Sequence, residues 1–525
     1  MSSVFDAVVI GGGHNGLVTS AYLARAGLKV AVLERRGIVG GAAITEEIFP
    51  GFRVSRLSYA YSLFLPRIVR ELELEKNGLQ LLSYDPDLFV PFPDGRYMFV
   101  WNDDNKTAKE IEKFSKHDAK AYFEYLEFWK NMAWLLGPAG EAPPPPLKEF
   151  AGMFDTPEAQ TLLRYLMFSS AKEILDEYFE SEEVKAVFAP RGLIGTMVGP
   201  MTPGSGYVLG HHVIGGSTGE QGKWGYLKGG MGGLSNAIAE SAQHLGVNIQ
   251  TNAQVTKILV REKRTTGVEL ADGKKLEAKV VVSNADPKQT FLKLVGEEHF
   301  DHDFTQNVKK IKDQGCVVKI NAALNELPNF KAMPGSPGPQ HKGITGIGPT
   351  LDYLEQAFDD AKYGRPSKKP MLRVTFHSVT DPDLAPPGKH TMSIFAQYFP
   401  YHLSTGSWDE IRDEVGENII ETLAEYAPNV KKSILNMEVL TPLDLERMFS
   451  LPKGNIFHME ITPDQMLSFR PVPGWANYRT PIHGLYLCGS GAHPGGGVLG
   501  TPGYNAAQTI LGDIKAKQSH GERLV

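Results

Sequence analysis

Residues 6–10 form a short apolar run that passes directly into Gly11-Gly12-Gly13-His14-Asn15-Gly16 and then into a helix-forming run, 17–26, closed by Gly27. Strand, glycines and helix in that order confine this part of the chain to a parallel βαβ unit with an anion at its turn. Gly11 permits the tight turn, Gly13 lets the backbone approach a pyrophosphate, and Gly16 lets the helix pack on the strand. The free N–H groups of the helix start, together with its dipole, favour anionic oxygens there. A second strand, 29–33, ends in Glu34, 21 positions after Gly13. An acid at that place accepts the ribose hydroxyls of an adenosine. Glu34 would repel a 2′-phosphate, so Arg35 and Arg36 are read as adenosine-edge or solvent residues.

Glycine is in excess, 55 of 525 residues, and the excess is localised. Gly40-Gly41-Ala42-Ala43 forms a second small-residue loop soon after the acid, read as a turn that approaches the cofactor. Far downstream, 484–491 reads as a strand entering Gly489-Ser490-Gly491, followed by His493, Gly495-Gly496-Gly497-Val498 and a helix over 506–516. Nicotinamide dehydrogenases need no such distant glycine segment, whereas a long FAD molecule laid across a sheet does. A third segment, Gly229-Gly230-Met231-Gly232-Gly233, precedes an amphipathic helix over 234–245, strands at 248–250 and 254–260, a turn at 271–273 and a strand at 280–282. It lacks the Rossmann third glycine and a proper preceding strand, so it is not read as a separate NAD(P) site.

Other functions are disfavoured. With 54 Lys and Arg against 60 Asp and Glu, the net charge of −6 argues against nucleic acid as a partner. The two cysteines, Cys316 and Cys488, are far apart, so neither a redox pair nor a metal-ligand set is expected. No stretch approaches 18 uninterrupted apolar residues and no basic leader precedes the first strand, so the expected location is cytoplasmic, with peripheral membrane contact allowed. No feature specifies an oligomeric state.

With these segments in hand, the chain resembles the flavin amine oxidase and phytoene desaturase superfamily, most closely the type represented by pyridine nucleotide-disulfide oxidoreductase domain-containing protein 2 and the flavin-dependent carotene ketolases. The resemblance covers essentially the whole chain. Its carriers are Val9 to Leu17, Glu34-Arg35-Arg36 with Gly40 to Ala43, Trp224-Gly225-Tyr226 with Gly229 to Gly232, Pro386 to His390 and Gly491 to Gly496. It implies an α/β fold in which a Rossmann-like FAD-binding domain is interrupted by a mixed α+β substrate domain. It also implies one non-covalent FAD, contacted by Arg35, Gly41 and Val255, and a mitochondrial location in a eukaryotic host. The disulfide part of the name does not transfer, because no paired cysteines follow Gly41. Ala42 stands where many amine oxidases place arginine, which makes amine oxidation less expected.

Pieces 1–80, 225–295 and 480–525 are assigned to the FAD domain, and 81–224 with 296–479 to the substrate domain. Expected cofactor contacts are Gly11, Gly13, His14, Asn15, Gly16, Glu34, Arg35, Gly40, Gly41, Ala42, Val255, Gly489, Ser490, Gly496, Gly497 and Val498. His493 is the catalytic candidate, and Trp224 with Tyr226 line the substrate pocket or pack as core. His211, His212, His377 and His458 are read as locally hydrogen-bonded structural residues. The aromatic stripe over 122–136 is core or a wall for an apolar substrate, 143–146 is a rigid connector, and 192–222 is a mobile lid or an ordered insertion. The reading that results is hydride transfer between flavin N5 and a lipophilic, unsaturated or isoprenoid-like molecule, a chemistry that needs no acid–base triad. Oxygen, a quinone or another protein is the electron acceptor. Two alternatives stand beside it: a carotenoid desaturase, isomerase or ketolase, and a flavoprotein with a binding or regulatory role.

Overall fold

Val4–Ile10 pairs in parallel with Val30–Leu33 on one side and Lys275–Ser283 on the other, Val8 facing Ala31 and Val281. Asn248–Gln250 adds outside Val30–Leu33, and Leu485–Leu487 pairs with the end of Lys275–Ser283. Five parallel strands thus come from three widely separated stretches. The computed structural model describes residues 4–519 apart from 214 and 221; within its helices the side chains of 134–136, 138, 139, 518 and 519 lie outside the described set. The last part of the 122–136 stripe and the end of the 480–525 piece fall there.

Strands covered on both faces read as unbroken apolar runs, and the central ones do: Ala7 to Val9, Val30 to Leu33, and Val281 with Val282 are essentially sealed from solvent. Val255–Arg261 and Arg264–Leu270 extend the sheet as an antiparallel meander from the first half of Lys275–Ser283. The helix His14–Arg25 packs against Gly232–His244 and Thr501–Ser519. It begins three residues before the predicted start, inside the glycine turn, with Gly13 extended as its N-cap and the Leu17 N–H donating to the Gly13 carbonyl at 3.0 Å. A β-carbon on Gly16 would stand 2.2 Å from the Gly11 carbonyl oxygen. That contact is why helix and strand can close only around glycine.

A second seven-stranded sheet has the order Ile434–Leu440, Val317–Leu324, His390–Gln397, Met371–Thr375, Ile344–Ile347, Leu88–Pro91, Tyr97–Val100. Its pairings are antiparallel except that of Ile344–Ile347 with Leu88–Pro91. The hairpin Thr45–Phe49 and Phe52–Ser55 is tied to it by Arg56, which meets Glu46 at 2.9 Å and Glu438 at 2.5 Å.

Helices between residues 104 and 213 cover one side of this sheet. In Lys116–Gly140, Tyr122, Tyr125, Trp129 and Met132 are buried, Tyr122 stacking on Phe188 and Tyr125 packing against Phe179, so the described part of the stripe is core. The described residues of the 192–222 stretch include the buried helix Ser205–Val213. Glycine and serine enrichment there reflects close packing: a β-carbon on Gly206 would meet the Tyr165 carbonyl at 2.2 Å.

Candidate cofactor and substrate site

A cavity of about 250 Å³ opens at the carboxyl ends of the parallel strands, where open α/β sheets bind ligands. Each strand end contributes the residue type expected of it. The first turn supplies Gly11, Gly13, His14 and Asn15, the second strand supplies Glu34 and Arg35, and the loop that follows supplies Gly41 and Ala42. Val255 opens the meander, and Ser490, Gly497 and Val498 come from the C-terminal glycine loop.

Glu34 is buried and doubly held: Gly12 N–H donates to Oε2 and Arg36 N–H donates to Oε1, both at 2.8 Å. Gly40 N–H donates to the Gly12 carbonyl at 2.7 Å, which brings the second glycine loop onto the first. A β-carbon on Gly13 would stand 2.8 Å from Asn284 Nδ2, so a bare backbone faces the cavity at that turn. His14 Nε2, Asn15 Oδ1 and His458 Nδ1 are buried around this cavity with no hydrogen-bond partner in the protein. Buried polar atoms are normally satisfied. A backbone cradle at a helix N-terminus, a fixed carboxylate at the adenosine position and these polar atoms suit a dinucleotide with polar ring edges. The residues present therefore fit FAD.

The wall on the other side is aromatic and apolar, with Tyr59, Ala60, Leu63, Ile194, Trp224, Phe395 and Phe457 joined by His212 and His458. Burial pushes His212 and His458 down to about 3 and His14 to about 4, so all three are neutral at pH 7. Behind this wall Lys319, fully buried, stands 4.9 Å from the Tyr59 ring and donates to the Ser393 hydroxyl. Burial pulls its ammonium down to about 7.

Several anticipated residues stand elsewhere. Gly16, Gly40, Gly489 and Gly496 lie behind the cavity wall: Gly489 packs on the Asn284 carbonyl, and the Gly496 carbonyl is bonded by His211 Nε2 at 2.9 Å. Trp224 lines the cavity and Tyr226 does not. At Tyr226 the chain enters a short antiparallel pairing with Leu81–Leu82, which draws the ring into the core against Tyr84 and His377, 4.3 and 4.5 Å between ring centres. His493 faces a second cavity, of about 310 Å³, because the glycine loop turns between Ser490 and Gly497 and sends His493-Pro494 to its other side. Tyr478 OH donates to the His493 carbonyl at 2.9 Å and holds that turn. His211, His212 and His377 each bond a backbone carbonyl, the pattern anticipated for structural histidines.

Asn284 was not anticipated. It follows the strand Lys275–Ser283, lines the cavity and donates from Nδ2 to the Gly11 carbonyl at 3.3 Å. Its signal was present, since a polar residue at the carboxyl end of a buried apolar strand is where such sheets keep their ligand contacts. Tyr59, Phe395 and His458 carry no local signal; they reach the site from the second sheet and from irregular segments.

Comparison with known proteins agrees with this geometry. The family described as flavin containing amine oxidoreductase matches residues 16–511. The chain is 44% identical to pyridine nucleotide-disulfide oxidoreductase domain-containing protein 2 of Mus musculus, across 97% of this chain and 94% of that protein. It is 29% identical to a limonene dehydrogenase component of Castellaniella defragrans, across 97% and 95% of the two. An oxidoreductase from Methanosarcina mazei shares the fold with a TM-score of 0.62 at 19% identity, covering 96% of this chain and 99% of that one. With a dinucleotide cradle at the strand ends and a family match that begins at Gly16, just after the first turn of that cradle, and runs to residue 511, the chain belongs to the flavin containing amine oxidoreductase family and is an FAD-dependent oxidoreductase.

Proposed function

We infer that the protein transfers hydride between FAD and a lipophilic, unsaturated, isoprenoid-like small molecule. When bound, FAD supplies hydride acceptance or donation at flavin N5. The observation that carries the substrate class is the second cavity. Its lining includes Phe64, Phe150, Phe154, Leu166, Met167, Leu467 and Leu499, with Tyr207, His211, His493, Thr501 and Glu141 as its polar side chains. Leu63 lines both cavities and so stands at their junction. An apolar enclosure with a few polar anchors suits an elongated apolar ligand, and the neutral aromatic wall of the first cavity excludes water from the reacting carbon.

In this reading Trp224 and Phe395 flank the substrate at the reacting end, while His493 anchors it further out. Gly11, Gly13, His14, Asn15, Glu34, Arg35, Gly41, Ala42, Val255, Ser490, Gly497 and Val498 hold the cofactor. Met153, on the rim of the second cavity, is 43% exposed, and nearby in the chain Leu147 and Phe168 are exposed at 52% and 67%. An exposed apolar side chain at that rim, with two more close by in the chain, favours uptake from a lipid surface. Among the described residues no helix is long and apolar enough to cross a membrane, so the contact proposed is peripheral. The relative named for limonene, an unsaturated hydrocarbon, supports the same class. Oxygen, a quinone or a protein takes up the electrons.

Anaerobic titration of the holoprotein with a lipid extract of its host should bleach the flavin absorbance, and fractionation would then identify the donor. A flavin that dithionite reduces but no lipid fraction bleaches would remove the dehydrogenase reading. Leu63→Trp should keep FAD and lose about tenfold or more in kcat/KM for the long substrate, since the indole closes the junction; an unchanged kcat/KM would separate the second cavity from the substrate path.

A further inference from the structure

Arg470 is among the largest side chains fully withdrawn from solvent, and among the described residues the one group that acts on its charge is the Tyr207 phenol, not a carboxylate. Its donors meet main-chain carbonyls from two segments. Nη2 and Nε reach the Ser490 carbonyl at 2.6 and 3.1 Å, Nη2 reaches that of Phe457 at 2.9 Å, and Nη1 reaches that of Glu460 at 3.1 Å. These bonds satisfy the hydrogen-bonding capacity of the guanidinium but leave its unit charge uncompensated, a costly arrangement in a protein interior. A brace between two loops does not need a charge.

The charge lies directly behind the cofactor cavity, since Ser490 and Phe457 both line it. Its field reaches His458 in that cavity and His211 and Tyr207 in the second, opposing a proton on each; burial is the larger influence at all three. The His211 ring is 5.3 Å from that of His212, which stacks 6.3 Å from Trp224. Phe457, whose carbonyl Arg470 holds, packs 6.4 Å from the His212 ring, which places Arg470 on the Trp224 side of the cavity.

We propose that Arg470 is a positioning residue whose buried positive charge raises the reduction potential of the bound flavin by favouring its anionic, two-electron-reduced form. Two electrons and one proton convert the neutral oxidised ring to that anion, so a fixed cation behind the wall stabilises product over reactant. The proposal rests on FAD binding alone and is independent of the substrate class.

The test compares holoprotein carrying Arg470→Gln or Arg470→Lys, with the potential read by equilibration against a reference dye. Sulfite, which adds to flavin to give an anion, reads the same charge by absorbance. Arg470→Gln should weaken sulfite binding about tenfold or more and lower the potential by about 30 mV per tenfold for a two-electron couple. Arg470→Lys should restore both to near the parent values. An Arg470→Gln holoprotein with parental potential and sulfite affinity would overturn the proposal. So would equal losses in both variants, which would mark a brace, or a change confined to FAD affinity. Should Arg470→Gln fail to fold, the unmodified holoprotein decides the matter at mildly acidic pH, where free reduced flavin takes up two protons per two electrons. Uptake of one proton supports the proposal, and uptake of two overturns it.

Discussion

Gly13→Leu is expected to yield folded, colourless protein. Gly13 has φ −70° and ψ 165°, a conformation open to any residue, so the backbone is not strained by the change. The new β-carbon would meet Asn284 Nδ2 at 2.8 Å, and that amide can swing aside at small cost. The remaining side-chain atoms would occupy the space where the turn presents its bare backbone to the pyrophosphate. A loss of at least about a hundredfold in FAD affinity, roughly 3 kcal/mol, is expected. Flavin absorbance of the purified protein and direct titration of apoprotein with FAD check it, and a normally yellow variant would place the pyrophosphate elsewhere. Thermal unfolding with and without added FAD should then lose the ligand-dependent rise in midpoint that the parent shows.

Stability should fall steeply between pH 6.5 and about 4. Burial depresses seven histidines: His14, His211 and His377 to about 4, His212 and His458 to about 3, and His341 and His390 in the same direction. In the unfolded chain these groups titrate near 6.5, so as the pH falls the unfolded state binds protons that the folded state refuses. Each then withdraws up to about 1.4 kcal/mol of stability per pH unit. Two carboxyls run the other way. Burial raises Asp286 to about 6 and Glu460 to about 7, so the folded state takes up protons there before the unfolded one does. With these two offsetting two of the five most strongly depressed histidines, the net dependence is at least about 4 kcal/mol per pH unit, a large share of an ordinary domain's stability. Urea midpoints of the holoprotein measured at intervals from pH 7 to 5 check it, and a flat profile would show that the histidines are not held neutral. His14 and His458 line the cofactor cavity, so flavin release should accompany the transition.

The glycine turn, the acid at the end of the second strand and the distant glycine loop were legible as one FAD-binding assembly, because each is a local device. A tight turn, a close approach and a strand end leave their mark within a few residues. The central strands of the parallel sheet were legible for the same reason, through their unbroken apolar runs, whereas those of the second sheet were not read. The helix Ser205–Val213 was not. Its glycines and serines resemble a loop, and only its packing against Tyr165 and Ile174 explains why they are there.

By itself, then, the sequence determined the cofactor class and the three-part construction of the sheet that carries it, since the physics of phosphate binding is written in short-range backbone geometry. Only the tertiary structure decided that Trp224 faces the cavity while Tyr226 is core, that His493 belongs to a second cavity, and that Asn284, Tyr59 and His458 complete the first. It also placed the uncompensated charge of Arg470 behind the C-terminal glycine loop. Those outcomes depend on which way irregular segments turn and on partners hundreds of residues apart. Neither periodicity nor motif spacing encodes such directions; they are set when the two sheets and the helices between them close over the cavity and fix each side chain to one side of its wall.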